Sequence, residues 1–378
     1  MAASAIVAAL EVFAVSIPHN ARYRNWAIAK ATTAPADEIN LVVKLTSADG
    51  AVGWGEVGRY YDGETPSGAH RAIRQRLAPA VAGQDAANPA ALRDRLEAAA
   101  PEAPFARSAV EMAALDLAAR TQGVPLGRLL GGRRRERIPI CPSIGIKEGP
   151  EQAAEQAAWL RGQGYGDLKF KVGLDAARDR RAIELIRRDL GPGFRIRIDP
   201  NRAYGRDDAL AALRAFEALG VVMVEQPVEP EDHATLRLLV RELTTPIYAD
   251  ERTQSGADVI GLAKAEAARG VMVKPARCGG LSAALEVATV AQAAGMGVCV
   301  GSLRELGLAT AAFLHLAAAL PRLDLSCNLA GPALFLEDDI LTSMLVPQDG
   351  HLAVPVGPGL GVTVDEAKLR AHAARLEA

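Results

Sequence analysis

The sequence predicts an α/β chain: a (β/α)8-type barrel covered by an α+β capping domain, the cap being formed by the N-terminal region and the C-terminal tail. Three observations point there. From residue 137 onward, short β-branched runs alternate with Ala- and Leu-rich helical stretches, at about 25 residues per unit. Charged residues recur at the ends of those runs with the same period. The GxGxxG fingerprint that an open doubly wound sheet would carry after a strand is absent, and the Gly357, Gly359, Gly361 cluster lies in the tail and opens no helix.

The elements follow in chain order. Residues 2–16 are apolar except for Glu11 and lack a basic leader. They are too short to span a bilayer and read as a first strand. Residues 39–46 and 51–57 read as a hairpin around Asp49-Gly50. Residues 69–82 and 90–99 read as helices. A third helix, 108–122, is expected to start on a capping box, Ser108 with Glu111, and to end before Gly123 and Pro125. Gly131-Gly132 and Arg133, Arg134 and Arg135 mark a boundary, expected to be a solvated linker, with anion binding the less favoured alternative. The barrel strands are expected at 138–144, 167–172, 194–199, 221–225, 247–250, 270–274, 297–301 and 323–327. Helices such as 178–190 and 281–294 lie between them. The cap is expected to span 1–135 and the barrel 136–344, with 345–378 returning to the cap.

Composition narrows the function. Of 378 residues, 49% are hydrophobic, enough for a large core and incompatible with disorder. Lys plus Arg is 43 and Asp plus Glu is 45, so the net charge of −2 lacks the footprint of a nucleic-acid binder. Only 4% of residues are aromatic, which disfavours base-stacking platforms. Cys141, Cys278, Cys299 and Cys327 are scattered and form no CxxC pair, which fits a reducing compartment and excludes a disulfide scaffold or zinc ribbon. No run of 18 apolar residues occurs. The expectation is a cytoplasmic protein with no membrane or nucleic-acid partner.

The chemistry sits at the strand ends. Strand two carries Lys169 and Lys171, and strands three to six end at Asp199, Glu225, Asp250 and Lys274. The spacings from Lys171 are 28, 26, 25 and 24 residues. Each is one βα unit, so all reach the C-terminal rim, where barrel active sites lie. Three converging carboxylates would repel unless a cation neutralised them. Oxygen ligands and the need for open positions favour Mg²⁺. A rim of plain salt bridges to Lys171 and Lys274 is the alternative. Lys169 and Lys171 point to one face about 7 Å apart. At an effective dielectric near 20 their repulsion is roughly 2.4 kcal/mol, which lowers a lysine pKa toward neutrality and makes it a general base. Lys274 stands across the barrel, able to act from the other face of the same substrate.

These stretches resemble the muconate lactonizing enzyme subgroup of the enolase superfamily. The matching pieces are Lys169-Phe-Lys171, Asp199-Pro-Asn201, Val224-Glu225-Gln226-Pro227, Ala249-Asp250-Glu251, Lys274 followed by Gly279-Gly280, and Gly301-Ser302 followed by Glu305. Gly53-Trp54-Gly55-Glu56 and Ala109-Val110-Glu111-Met112 match in the cap, and Gly357-Pro358-Gly359-Leu360-Gly361 in the tail. The resemblance implies Asp199, Glu225 and Asp250 as Mg²⁺ ligands, with Mn²⁺ as a substitute, and Lys171 and Lys274 as the acid/base pair. It implies that Lys169 holds or polarises a substrate carboxylate, that Ser143 lines the pocket, and that Asn201 and Glu251 stand near the metal. The mandelate racemase subgroup carries a His at the end of strand seven. Here that strand ends Cys299-Val300-Gly301-Ser302, which favours the lysine pair.

Strand eight departs from the family. Asn328-Leu329-Ala330-Gly331-Pro332 lacks the acidic residue of muconate cycloisomerases and the Asp-x-Asp of dipeptide epimerases. Asn328 is a candidate contact to a neutral or N-blocked group, or a structural cap. Residues 18–36 and 59–65 are the expected specificity loops, with Trp26 and Tyr60 as candidate covers. The expected activity is an isomerase that abstracts the α-proton of a small-molecule carboxylate substrate through an enediolate. Racemisation or epimerisation of an N-substituted amino acid leads, with muconate-type cycloisomerisation and hydroxy-acid dehydration as alternatives. The sequence leaves open whether the chain forms a homo-oligomer.

Overall fold

The computed structural model describes residues 4–21, 38–58, 63–147, 149–329 and 331–376. Trp26 and Tyr60 lie outside the described residues. Strands β1 (Val7–Val15), β2 (Asn40–Ser47) and β3 (Val52–Val57) form an antiparallel sheet in that order. Gly50, at φ +88, makes the β2–β3 turn. Helix α1 (Pro66–Ala72) continues through a π-helical turn, Ile73–Leu77, into Ala78–Val81. Helices α2 (Pro89–Ala99) and α3 (Pro104–Thr121) complete the cap. Strand β3 lies directly against α3: a Cβ at Gly53 or Gly55 would overlap α3 backbone at Ala113 or Ala109.

The expected capping box is not formed. Helix α3 starts at Pro104, and Ser108 and Glu111 are buried within it. Its first N–H groups, those of Phe105 and Ala106, donate to Glu64 at 3.0 and 2.9 Å. A carboxylate distant in sequence replaces the local cap, leaving Glu111 available for another helix.

The barrel is a parallel sheet of β5 (Ser143–Ile144), β6 (Asp167–Lys171), β7 (Arg195–Asp199), β8 (Val221–Glu225), β9 (Ile247–Ala249), β10 (Gly270–Val273) and β11 (Gly297–Val300), neighbours in chain order. Between them run α4 (Pro150–Gly162), α5 (Ala176–Leu190), α6 (Arg206–Glu217), α7 (His233–Glu242), α8 (Gly256–Lys264), the single turn α9 (Pro275–Cys278) and α10 (Leu281–Ala293). Helix α11 (Gly307–Ala319) follows β11. Two expected strands differ. Residues 138–144 split into β4 (Arg137–Pro139), which pairs with the tail strand β12 (His351–Ala353), and the barrel strand β5.

Strand eight is not a ladder. Cys327 bridges Ile140 and Asn328 bridges Gly301, closing the ring by two contacts. Backbone bonds hold Cys327 to Pro139 and Cys141 and hold Asn328 to Val300 and Ser302, and side chains add to them just before these residues. Arg197 donates to Ser326 O at 2.8 Å, and Asp324 accepts from Val298 N at 3.0 Å. Arg197 itself is fully buried in the barrel and paired with Asp167.

The tail first pairs with β4, at the entry side of the barrel, then reaches the cap. Gly359 N donates to Val124 O, Leu360 N donates to Asp116, and Ala374 N donates to Ala14 O. The arginine run is solvated at Arg133 and Arg134, as expected of a linker, and it is also anchored. Arg134 and Arg135 hold the carbonyls of Ala319, Leu320 and Pro321 where α11 ends. The four cysteines are buried and form no disulfide. Among the described residues, no helix is long and apolar enough to cross a membrane.

Glu56 of β3 fastens cap to barrel. It is buried and accepts from Leu306 N at 2.6 Å and Ala309 N at 3.0 Å, at the start of α11. Burial pushes its carboxyl up to about 8, against the pull of those two N–H groups. The folded state therefore binds this proton more tightly than the unfolded chain. Its stabilisation is complete below the unfolded carboxyl pKa, about 4.5, and is lost as pH rises through about 8. The melting temperature is expected to fall between pH 5 and pH 9, and Glu56→Gln, which cannot ionise, to flatten that slope. Scanning calorimetry of both proteins across this range checks it, and equal slopes would refute it.

Candidate active site

The charged side chains of the rim are delivered by the ends of five successive strands, β6 to β10. Lys169 and Lys171 lie on β6, Asp199 ends β7 and Glu225 ends β8. Asp250 follows β9, and Lys274 follows β10 as the residue that begins α9. Parallel strands in register force this convergence; Lys171 pairs with Asp199 across β6 and β7. The three carboxylates are buried at 1%, 0% and 2% exposure.

Ammonium groups tie the acids together. Lys169 Nζ lies 2.8 Å from Glu225 and 3.2 Å from Asp199. Lys274 Nζ lies 2.6 Å from Asp250 and 3.7 Å from Glu225. Lys171 donates to Asp199 at 2.6 Å and to Asn201 Oδ1 at 2.5 Å. Lys171 and Lys274 thus flank the acids on opposite sides, separated by the strands that carry the acids.

The electrostatics divide the two β6 lysines. Burial alone would push Lys169 down, but Glu225 and Asp199 outweigh it and hold its ammonium well above the ordinary lysine range. Burial pushes Lys171 down, Asp199 resists and Lys169 adds to the lowering. The expected lysine–lysine depression therefore falls on Lys171 alone, because Lys169 sits between two carboxylates. Burial would raise Asp199, yet Lys171 and Lys169 hold it well below the usual carboxylate range. Burial and Asp199 push Glu225 up. Burial works against Asp250 too, but Lys274 and Arg277 keep it low.

Around this centre, Ser143 lies beside Lys169 in the β5–β6 register and accepts from Asn328 Nδ2 at 3.1 Å. The same amide donates to Cys141 O at 2.7 Å, so Asn328 joins strand one to the eighth segment. Asn201 and Arg202 both adopt positive φ, 47° and 68°, a strained turn directly after Asp199. Burial and adjacent Asp250 push Glu251 up to about 7, and Arg202 lies 3.7 Å from it.

Two supporting residues were not assigned a role from the sequence. Arg277 is buried and donates to Asp250 Oδ1 at 2.9 Å. Gln226 Oε1 accepts from Asp250 N at 2.8 Å while its amide donates to Val228 O. The spacing Lys274-x-x-Arg277 across one helical turn is the sequence clue to the first.

A cavity of about 400 Å³ lies away from this rim, between α2 and α3 of the cap and α8 to α10 of the barrel. It touches none of Lys171, Asp199 or Glu225. Most of its acids are engaged: Glu64 with α3, Glu111 with α10, and Glu286 with Arg93. The converging groups of the rim, not this cavity, form the candidate active site.

The donor set fits a hard divalent cation: three buried carboxylates offering only oxygen, brought together by shared ammonium groups. Among the described residues no three acid, His or Cys side chains stand in ligating geometry, and ammonium groups lie against the carboxylate oxygens of all three acids.

The comparisons with known proteins agree with this geometry. Residues 12–131 match the N-terminal domain model of the mandelate racemase / muconate lactonizing enzyme family, and 152–368 match the enolase C-terminal domain-like model. Muconate cycloisomerase 1-1 of Acinetobacter lwoffii is 35% identical over 87% of this chain and 88% of its own. The L-Lys-D/L-Arg epimerase of Methylococcus capsulatus is 34% identical over 85% of this chain and 90% of its own. The crystal structure of N-succinyl Arg/Lys racemase from Bacillus cereus superposes with a TM-score of 0.91, at 28% identity and 98% coverage of both chains.

Proposed function

The chain belongs to the mandelate racemase / muconate lactonizing enzyme family of metal-dependent isomerases, and on that premise we propose that it racemises or epimerises an N-substituted amino acid. The observation that carries this reading is the pair of lysines on opposite sides of the acid cluster, each bound to a different carboxylate. Asp199, Glu225 and Asp250 would hold the divalent cation, Mg²⁺, which supplies Lewis-acid polarisation of the substrate carboxylate. One lysine, as the amine, takes the α-proton; the other, as the ammonium, returns a proton to the opposite face. Lys169, kept cationic by its two carboxylates, contributes fixed positive charge where the enediolate forms. Position 328 carries no acid to pair with a free amine, and the N–H groups of its amide are held by Cys141 O and Ser143, so a blocked nitrogen suits the site better.

The relatives divide along the same line. One named for N-succinyl Arg/Lys racemisation and one for Lys/Arg epimerisation support the leading reading. The 35% identical muconate cycloisomerase favours the second, cycloisomerisation of a diacid. A panel of N-succinyl and N-acetyl amino acids, proline derivatives, dipeptides and cis,cis-muconate, each with Mg²⁺, separates them. Polarimetry and α-deuterium incorporation are expected to report an N-acylated amino acid. Lactone formation from muconate, with no exchange in any N-acyl compound, would overturn the assignment.

A further inference from the structure

Glu111 lies on α3 of the cap, but its carboxylate serves the barrel. It is buried and accepts from Leu281 N at 2.5 Å and from Ser282 N at 3.3 Å, the first two residues of α10. Helix α10 has Gly280 at its N-cap and no side-chain cap of its own. The cap domain therefore does for α10 what a local Ser or Asp ordinarily does. Gly280 has φ +149, and a Cβ there would overlap the Glu111 carboxylate. Only glycine lets the carboxylate come this close.

The segment just before Glu111's contact carries Lys274. Lys274 is the N-cap of the one-turn helix α9, and Gly279 in the left-handed region closes it. Cys278 N donates to Lys274 O at 3.1 Å, and Gly280 N donates to Pro275 O at 3.0 Å. The path from Lys274 to Leu281 is thus a continuous hydrogen-bonded turn whose far end is pinned by Glu111. Glu56 makes the same kind of contact on α11, after β11, a strand that ends without a lysine.

We propose that Glu111 is a positioning residue for Lys274: by anchoring α10 it fixes the turn on which that amine stands. The functional part of this inference rests on the acid/base role assigned to Lys274 above. Among the described residues, Lys171, on β6, has no such tether to the cap. Loss of Glu111 is expected to disturb one amine of the pair and spare the other.

Competitive acetylation of the full chain, with and without Mg²⁺, reads each lysine separately by peptide mass spectrometry. Lys171 and surface Lys264 serve as internal references. In Glu111→Ala the rate at Lys274 is expected to change by about threefold or more against both references, since small displacements of a tethered group have large consequences. Glu111→Gln, which keeps one acceptor oxygen, is expected to restore part of the wild-type ratio. Gly280→Ala disturbs the same turn from the other side and is expected to act like Glu111→Ala, so the test survives if one variant fails to fold. Glu56→Gln is expected to leave the ratio unchanged. An unchanged ratio in Glu111→Ala and Gly280→Ala, or an equal change in Glu56→Gln, would overturn the proposal.

With any N-acyl amino acid that the wild type exchanges, Lys274-dependent α-deuterium exchange is expected to fall about 10- to 100-fold in Glu111→Ala while Lys171-dependent exchange is retained. Equal loss at both would mean that Glu111 is merely structural. If the wild type exchanges no α-hydrogen in the panel, the acid/base assignment fails, and the acetylation ratio still decides whether Glu111 positions Lys274.

Discussion

Asn at Asp199 or Asp250, or Gln at Glu225, is expected to lower turnover at least about 10³-fold, the upper range for loss of one preorganised charge-stabilising group. The three acids are buried and stand within reach of four cationic groups, Lys169, Lys171, Lys274 and Arg277. Removing one carboxylate takes away a third of the negative charge that would hold a divalent cation. It also leaves a buried ammonium short of a partner. Breaking a buried pair in this way costs about 3–5 kcal/mol, so the melting temperature is expected to drop as well. Each acid contacts two cations, Asp199 with Lys169 and Lys171, Glu225 with Lys169 and Lys274, and Asp250 with Lys274 and Arg277, so the three losses are expected to be of similar size. Circular dichroism must show that the variants stay folded, and EDTA must reproduce the loss of activity, reversibly with Mg²⁺. Full turnover in metal-stripped wild type would defeat the metal assignment.

The second large effect concerns the lysines. Lys171→Ala and Lys274→Ala are each expected to stop net racemisation in both directions, since the second proton transfer is lost. Each variant should still exchange the α-hydrogen of the one enantiomer that presents it to the remaining lysine. In D₂O the two variants are therefore expected to show opposite enantiomeric selectivity, with residual rates on the missing face lower by about 10² to 10⁴. Near-normal turnover in Lys274→Ala beside a dead Lys171→Ala would replace the two-base racemase with a one-base lyase or cycloisomerase.

The rim was legible because the barrel repeats. A strand-plus-helix unit fixes where each strand ends, so spacing alone brings Lys171, Asp199, Glu225, Asp250 and Lys274 to one level. What spacing could not give was which oxygen each amine chooses. That choice reversed the expected shift at Lys169, because a lysine between two carboxylates responds to them more than to its neighbour. Long-range capping was equally hidden. Ser108 and Glu111 have the pattern of a local capping box, yet Glu64 caps α3 and Glu111 caps α10. Strand eight read as a strand from its composition. Nothing local announced that its backbone pairing would shrink to Cys327 and Asn328, with Arg197 and Asp324 adding side-chain bonds beside them.

The ring closure at Cys327 and Asn328 has a consequence for how such an enzyme changes over time. Seven strands share ladders, where an altered residue is felt by neighbours on both sides. The eighth segment is held by single bridges on either flank. Its pairing is one residue long on each flank, against five pairs between β6 and β7, so its amide protons should exchange with solvent sooner than those of β6 and β7. Because the Asn328 side chain itself ties this segment to strand one, a lineage that keeps a donor to Cys141 O at 328 can change what borders the site while the acids and lysines stay fixed.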